Sequence, residues 1–181
     1  MGMRGRLSYA SETLYFVTTT VAKHSRVFVK DKYCDILINN IKHYQRRYQS
    51  RILGYAIMPS HFHWVVNVDP ELGLVSDVMR DIKKYSAWDI LEALEVEKED
   101  KLMQLFAREA QRFNDQRRKF WIKRFDDEVI RNAGMLRTKL EYIHNNPVKA
   151  GLVTNPEDYK YSSARNHVLD DHSVIEVDTD W

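Results

Sequence analysis

The chain reads as an α+β domain: a split βαβ, ferredoxin-like antiparallel sheet with helices on one face and an added helix near the C-terminal end. Three observations predict it. Strand-length runs rich in β-branched and aromatic residues occur at about 13–21, 51–58 and 62–68. Apolar residues recur at helical spacing in the stretches between and after them. The resulting order, strand-helix-strand-strand-helix-(insertion)-strand-helix, is that of the split βαβ unit plus one helix. Helices covering one sheet face would leave the other face available.

The first strand is Thr13-Leu14-Tyr15-Phe16-Val17-Thr18-Thr19-Thr20-Val21. From about 31 to 48, Tyr33, Leu37, Ile41, Tyr44 and Tyr48 form a helical stripe, with Asp31 as the expected N-cap. Arg51–Met58 and Phe62–Val68 flank Pro59-Ser60 and read as a hairpin, because proline is harmless in a turn where no ladder N–H is needed. A second long helix begins near Leu72 and carries Leu74, Val78, Ile82 and Tyr85 on one face. The stretch 92–120 reads as a charged helical insertion, in which Leu102, Leu105, Phe106 and Phe113 keep helical spacing. Residues 124–130 suit a short strand. A last helix is expected over about 133–146, with Leu136, Leu140 and Ile143 as its apolar stripe and Pro147 ending it. One domain over 1–168 and an acidic C-terminal tail over 169–181 account for the 181 residues.

Composition removes several function classes. Cys34 is the only cysteine, so an internal disulfide and a cysteine-cluster zinc site are excluded, and a reducing, cytoplasmic setting is expected. No stretch reaches the roughly 18 consecutive apolar residues of a membrane span, and Met1 to Arg6 have no apolar run behind them, so neither membrane association nor a secretory leader is expected. The net charge of +2 is too small to imply a nucleic-acid partner. Its distribution is more telling: 42–51 carries Lys42, Arg46, Arg47 and Arg51 without an acid, and 108–124 is rich in Arg and Lys against only Glu109 and Asp115. Local basic surface of this kind can meet phosphates whatever the total charge.

The chemistry rests on four residues. His61 and His63 are two apart on the expected third strand, so both imidazoles point to one face while Phe62 and Trp64 point to the other. Two imidazoles on a rigid strand make half of a divalent metal site. Tyr142 and Asn146 are one helical turn apart and share a flank beside the apolar stripe. A phenol attacking a phosphodiester must overcome a pKa of about 10 and needs charge stabilised on the phosphoryl group. An ion on His61, His63 and the Asn146 oxygen would supply that stabilisation. Magnesium favours oxygen ligands, so a two-imidazole site should also accept manganese. Lys83, Lys84, Arg131 and Lys149 are the candidate phosphate contacts, on charge and expected position.

These motifs resemble a known family. Met58-Pro59-Ser60-His61-Phe62-His63-Trp64-Val65-Val66 is similar to the His-hydrophobic-His (HUH) signature of single-tyrosine transposases. Tyr142-Ile143-His144-Asn145-Asn146-Pro147-Val148-Lys149-Ala150-Gly151-Leu152-Val153 strongly resembles the nucleophile motif of REP-associated tyrosine transposases, the IS200-like members of that superfamily. Tyr161-Ser162-Ser163 resembles the short motif that follows it. The resemblance implies binding of single-stranded, hairpin-forming repeat DNA, and cleavage and joining through a 5′-phosphotyrosine with Mg²⁺ or Mn²⁺. By position it implies His61 and His63 as the histidine pair, Tyr142 as nucleophile and Asn146 as polar ligand. Related transposases act as homodimers and REP-associated members as monomers, so both states stay open, and the DNA substrate implies a cytoplasmic, nucleoid-associated protein. Two rival readings stand beside this one: a domesticated, non-catalytic nucleic-acid-binding protein of the same fold, and a metal hydrolase using water as nucleophile.

Overall fold

A computed structural model describes residues 13–112 and 117–181. Phe113 and Asp115, used above in the spacing and charge arguments, lie outside the described residues, as do Met1 to Arg6. The strands are β1 (Leu14–Thr20), β2 (Arg51–Met58), β3 (His61–Asn67) and β4 (Asp126–Val129). They form one four-stranded sheet in the order β2-β3-β1-β4, every pairing antiparallel. The helices are α1 (Asp31–Arg47), α2 (Val75–Val96), α3 (Asp100–Ala110), α4 (Ala133–Lys149) and α5 (Ala164–Leu169). The α+β, split βαβ expectation holds, with α4 as the added helix.

Alternation along the strands sorts side chains to two faces. Val17, Ile52, Tyr55, Ile57, Phe62, Trp64 and Val66 join α1, α2 and α3 in the main core. The opposite face is not open, as the sequence had suggested. Leu14, Leu53, Ala56 and Val65 are buried there beneath Leu136, Leu140 and Ile143 of α4. The apolar stripe of α4 requires a cover as much as those of α1 and α2 do, and this sheet face supplies it. The approach is close: a Cβ on Gly54 would stand 2.4 Å from Leu140 Cδ2, so the leucine methyl would have to move.

Element ends differ from expectation for physical reasons. Asp31 is the first residue of α1 rather than its cap, which is Lys30, and the Asp31 carboxylate accepts from Lys160 instead. Pro147 lies inside α4 and does not end it. A proline in the last turn removes only one backbone bond, and the stop comes at Gly151, whose φ of +68° only glycine adopts freely. Leu152 N–H returns to Pro147 O and Gly151 N–H to Val148 O, both at 2.9 Å, which is a Schellman closure.

The insertion and the tail both contribute to the body. Leu94, Met103, Phe106 and Phe120 of the 92–120 stretch are buried in the main core. In the acidic segment after 168, Ile175 and Val177 are buried, Asp178 N–H donates to Ile52 O at 2.7 Å, and the Asp178 carboxylate accepts from Arg51 Nε at 2.7 Å. The Tyr161–Ser163 run covers the rest of the β2 edge. Ile57 N–H donates to Tyr161 O and Ser163 N–H to Tyr55 O, both at 2.9 Å. A paired edge is protected from pairing with another chain. Among the described residues, no helix is long and apolar enough to cross a membrane.

Candidate active site

The β2–β3 turn sets the histidines. Its Pro59 and Ser60 carbonyls accept from Phe28 N–H (2.9 Å) and Val21 N–H (2.8 Å), which ties the turn to the segment following β1. From there His61 and His63 point to the α4 face, sharing it with Phe16 and Thr18 of β1 by register. Their ring centroids are 4.8 Å apart. Burial pulls the pKa of His61 down, with a smaller push from His24. Burial, then His61, lowers His63 to about 3. Both imidazoles are therefore neutral at pH 7, the form that ligates a metal.

His63 is 3% exposed, and its two nitrogens differ. Nδ1 lies 2.7 Å from Thr18 Oγ1, whereas Nε2 is buried without a hydrogen-bond partner. With the ring proton on Nδ1 and directed to Thr18, Nε2 keeps a free lone pair. Sequence reasoning missed Thr18. It read Thr18-Thr19-Thr20 only as strand-forming, although a hydroxyl directly across the ladder from a histidine was the available signal.

Helix α4 brings Tyr142 and Asn146 over the same face. The Tyr142 ring meets His63 edge-on at a centroid distance of 5.4 Å and Phe16 edge-on at 5.9 Å. Phe16 in turn stacks on His63 at 5.7 Å. Tyr142 nevertheless stays 42% exposed, so a substrate can reach its hydroxyl. Leu140 lies against Gly54 and Tyr142 against His63, so α4 runs toward the His61 end of the sheet and Asn146 lies one turn further that way. The Asn146 amide nitrogen is buried and unpartnered; amide O and N are interchangeable by a flip, so the group can equally present its oxygen. Among the described residues no three of His, Cys, Asp and Glu gather at one point. The third ligand expected from the sequence is the Asn146 amide, on the same flank of α4 as Tyr142. His61 Nδ1 lies 3.2 Å from Ser60 Oγ.

The candidate phosphate contacts divide. Lys149 Nζ sits 5.9 Å from the Tyr142 ring centroid, beside the site. Arg131 precedes α4, and from the first helical residue, Ala133, to Tyr142 the axis already runs roughly 13 Å at about 1.5 Å per residue. Lys83 and Lys84 belong to α2, on the other side of the sheet. Lys83 Nζ donates to the carbonyls of Ile122 (2.9 Å), Lys123 (3.3 Å) and Arg124 (3.2 Å); burial, then Lys119, lowers its pKa to about 8. Lys84 Nζ lies over the rings of Trp88 (4.8 Å) and Tyr85 (5.2 Å). The sequence located these lysines on a helix but could not say which sheet face that helix covers.

Comparison with known proteins gives the family and the fold. The family model "Transposase IS200 like" matches residues 10–146, well over half of the chain. The chain belongs to the IS200-like transposase family. A relative from Haemophilus influenzae named "Putative REP-associated tyrosine transposase" is 27% identical over 168 residues, covering 90% of this chain and 86% of its own length. A solved REP-associated tyrosine transposase bound to a REP hairpin superposes with a TM-score of 0.64 at 21% identity, covering 99% of this chain and 91% of that one. That superposition shows the shared fold. The family match ends at Asn146, so it spans the whole His61, His63, Tyr142 and Asn146 set.

Proposed function

We propose that this IS200-like transposase cleaves and rejoins single-stranded, hairpin-forming repeat DNA, with Tyr142 as nucleophile and a divalent ion on His61, His63 and Asn146. The observation that carries the reading is the edge-on seat of an accessible Tyr142 against His63, whose Nε2 is buried and unpartnered. Support for the substrate comes from the relatives: one is named for REP-associated transposition and the other was solved on a REP hairpin.

The donor set suits the ion, since two neutral imidazoles and an amide are neutral ligands that leave positions open for phosphate oxygens, and Mn²⁺ tolerates such nitrogen ligation better than Mg²⁺. When bound, the ion stabilises charge on the phosphoryl and leaving oxygens. The remaining roles fall to side chains. The Tyr142 hydroxyl oxygen attacks the scissile phosphorus; the new O–P bond forms as the bond from phosphorus to the 3′ oxygen breaks. The phenol proton is lost, the departing strand takes one to become a 3′-hydroxyl, and the other strand stays as a 5′-phosphotyrosine. An incoming 3′-hydroxyl reverses these steps, and one phosphodiester replaces another with no nucleotide cofactor. Lys149 stands where it can pair with a phosphate next to Tyr142.

The test is incubation with single-stranded hairpin DNA and Mn²⁺ or Mg²⁺, followed by denaturing electrophoresis. A protein–DNA adduct that disappears in Tyr142→Phe and on chelation is expected. Cleavage that persists in Tyr142→Phe without an adduct would transfer the reaction to water. Tight hairpin binding with no cleavage would make the chain a binding protein only.

A further inference from the structure

Covering the β2 edge does not exhaust the Tyr161-Ser162-Ser163 run. The Ser163 hydroxyl is fully buried and lies between two elements. It accepts Tyr55 N–H at 2.8 Å and stands 2.8 Å from His144 Nε2 on α4. A backbone N–H only donates, so Ser163 Oγ is the acceptor in the first bond. Its own proton and its second lone pair remain, so it pairs with His144 Nε2 in either ring tautomer. Ser163 is also fixed by its backbone: its N–H donates to Tyr55 O at 2.9 Å, and its carbonyl accepts from His167 N–H at 3.1 Å. The hydroxyl is held from several sides before it meets the imidazole.

His144 lies between Tyr142 and Asn146 in sequence but projects the other way. At about 100° per residue, the stripe Leu136, Leu140, Ile143 and Pro147 faces the sheet. Tyr142 and Asn146 then project from one flank of α4, and His144 from the opposite flank. A bond on the His144 flank therefore sets the rotation that aims the other flank. Apolar contacts alone fix rotation loosely, because dispersion and burial are not directional, whereas a hydrogen bond weakens steeply with distance and angle. Lys139 of α4 also reaches the sheet, at Glu128 and over the Phe16 ring, but its ion pair is solvent-exposed, whereas the Ser163 hydroxyl is fully buried and its bond is stronger for it. The lever matters chemically. A rotation of roughly 10° moves a side-chain tip at a radius of about 6 Å by about 1 Å, and a misplacement of that size can slow a reaction about a hundredfold.

We propose that Ser163 and His144 are a positioning pair: the bond between the buried Ser163 hydroxyl and the half-buried His144 imidazole sets the rotation of α4 against β2, so that Tyr142 and Asn146 face His61 and His63. The inference rests on the reading of Tyr142 and Asn146 given above, and it assigns a task to two residues that touch neither substrate nor ion.

Three variants test it: Ser163→Ala, His144→Phe and His144→Gln, the last because the glutamine side chain can place an acceptor oxygen near the position of Nε2. Two readouts are needed, the single-turnover rate of adduct formation beside hairpin affinity, and the nuclear Overhauser contact between the Tyr142 and His63 rings in the protein without DNA or metal. Ser163→Ala and His144→Phe should slow adduct formation about 10- to 100-fold, leave hairpin affinity within about twofold, and weaken the ring–ring contact. His144→Gln should restore both rate and contact. His144→Phe leaves the Tyr55–Ser163 bond intact, so it reads the pair even where Ser163→Ala loosens the β2 edge. An unchanged rate and ring contact in His144→Phe, or a His144→Gln variant as impaired as His144→Phe, would refute the pair. If the unaltered protein forms no adduct, the Tyr142 reading falls, and the ring contact still decides whether the pair orients α4.

Discussion

Thr18 and His63 stand directly opposite each other on β1 and β3, and the threonine Oγ1 lies 2.7 Å from the imidazole Nδ1. This bond holds the ring so that Nε2, buried and unpartnered, points into the site. Groups that orient a metal-binding histidine typically contribute about 10- to 100-fold in affinity. Thr18→Val keeps the shape and removes the hydroxyl, so Mn²⁺ affinity should fall by about that factor while Thr18→Ser retains it. Calorimetric titration without DNA measures this directly. Equal affinity in Thr18→Val would mean that the hydroxyl does not orient a ligand.

Gly54 marks where α4 and β2 come closest. A Cβ there would meet Leu140 Cδ2 at 2.4 Å and Ser163 Oγ at 3.3 Å. The leucine methyl can shift, but it is buried in the second core cluster and has little space to enter. Gly54→Ala should cost about 1–3 kcal/mol, the range of overpacked cores, and Gly54→Val more. Urea unfolding gives the values. Because the strain lifts α4, adduct formation should fall by more than stability alone accounts for; a variant losing stability but no activity at folding-permissive temperature would contradict this.

Much of this was legible because periodicity is local. His61 and His63 share a face by strand alternation, and Tyr142 and Asn146 share a flank by helical repeat, so each pair could be read from spacing. What joins the pairs is not local. That α4 covers the histidine face depends on Gly54 admitting Leu140 and on the Leu136/Leu140/Ile143 stripe finding Leu53 and Val65 across the chain. The same limit hid the task of Lys83, since no spacing rule links it to the carbonyls of 122–124. Pro147 misled for another reason: in a last turn proline removes one bond, and the Gly151 closure a few residues on decides where the helix stops.

Acid should destabilise the fold in a defined window. Burial, with a smaller effect from His167, holds His144 down to about 4, and burial with His61 holds His63 to about 3. In the unfolded chain each protonates at about 6.5. Below that pH the unfolded chain binds protons that the folded one refuses, so this stability is complete above about 6.5 and declines as pH falls toward the folded values. From pH 7 to 4.5 the loss from His144 alone is roughly 2–3 kcal/mol. Denaturant unfolding at the two pH values measures it. His144→Gln keeps an acceptor for Ser163 but cannot titrate, so its pH dependence should be flatter by that amount; an equally steep profile would place the loss elsewhere.

Lys83 and Lys149 should separate in their salt dependence. Each phosphate contact releases about one counterion, so deleting one lowers the slope of log affinity against log salt by about 1. Lys149, beside Tyr142, is placed to make such a contact, and Lys149→Ala should weaken hairpin binding with that change of slope. The Lys83 ammonium is occupied by three carbonyls of the segment leading into β4. Lys83→Met would leave those carbonyls without their charged donor, costing about 1–3 kcal/mol, and amide exchange in β4 should quicken. Its slope should match that of the unaltered protein at temperatures where both are folded. A reduced slope in Lys83→Met with normal stability would show that the lysine leaves its carbonyls for phosphate and does not hold the segment before β4.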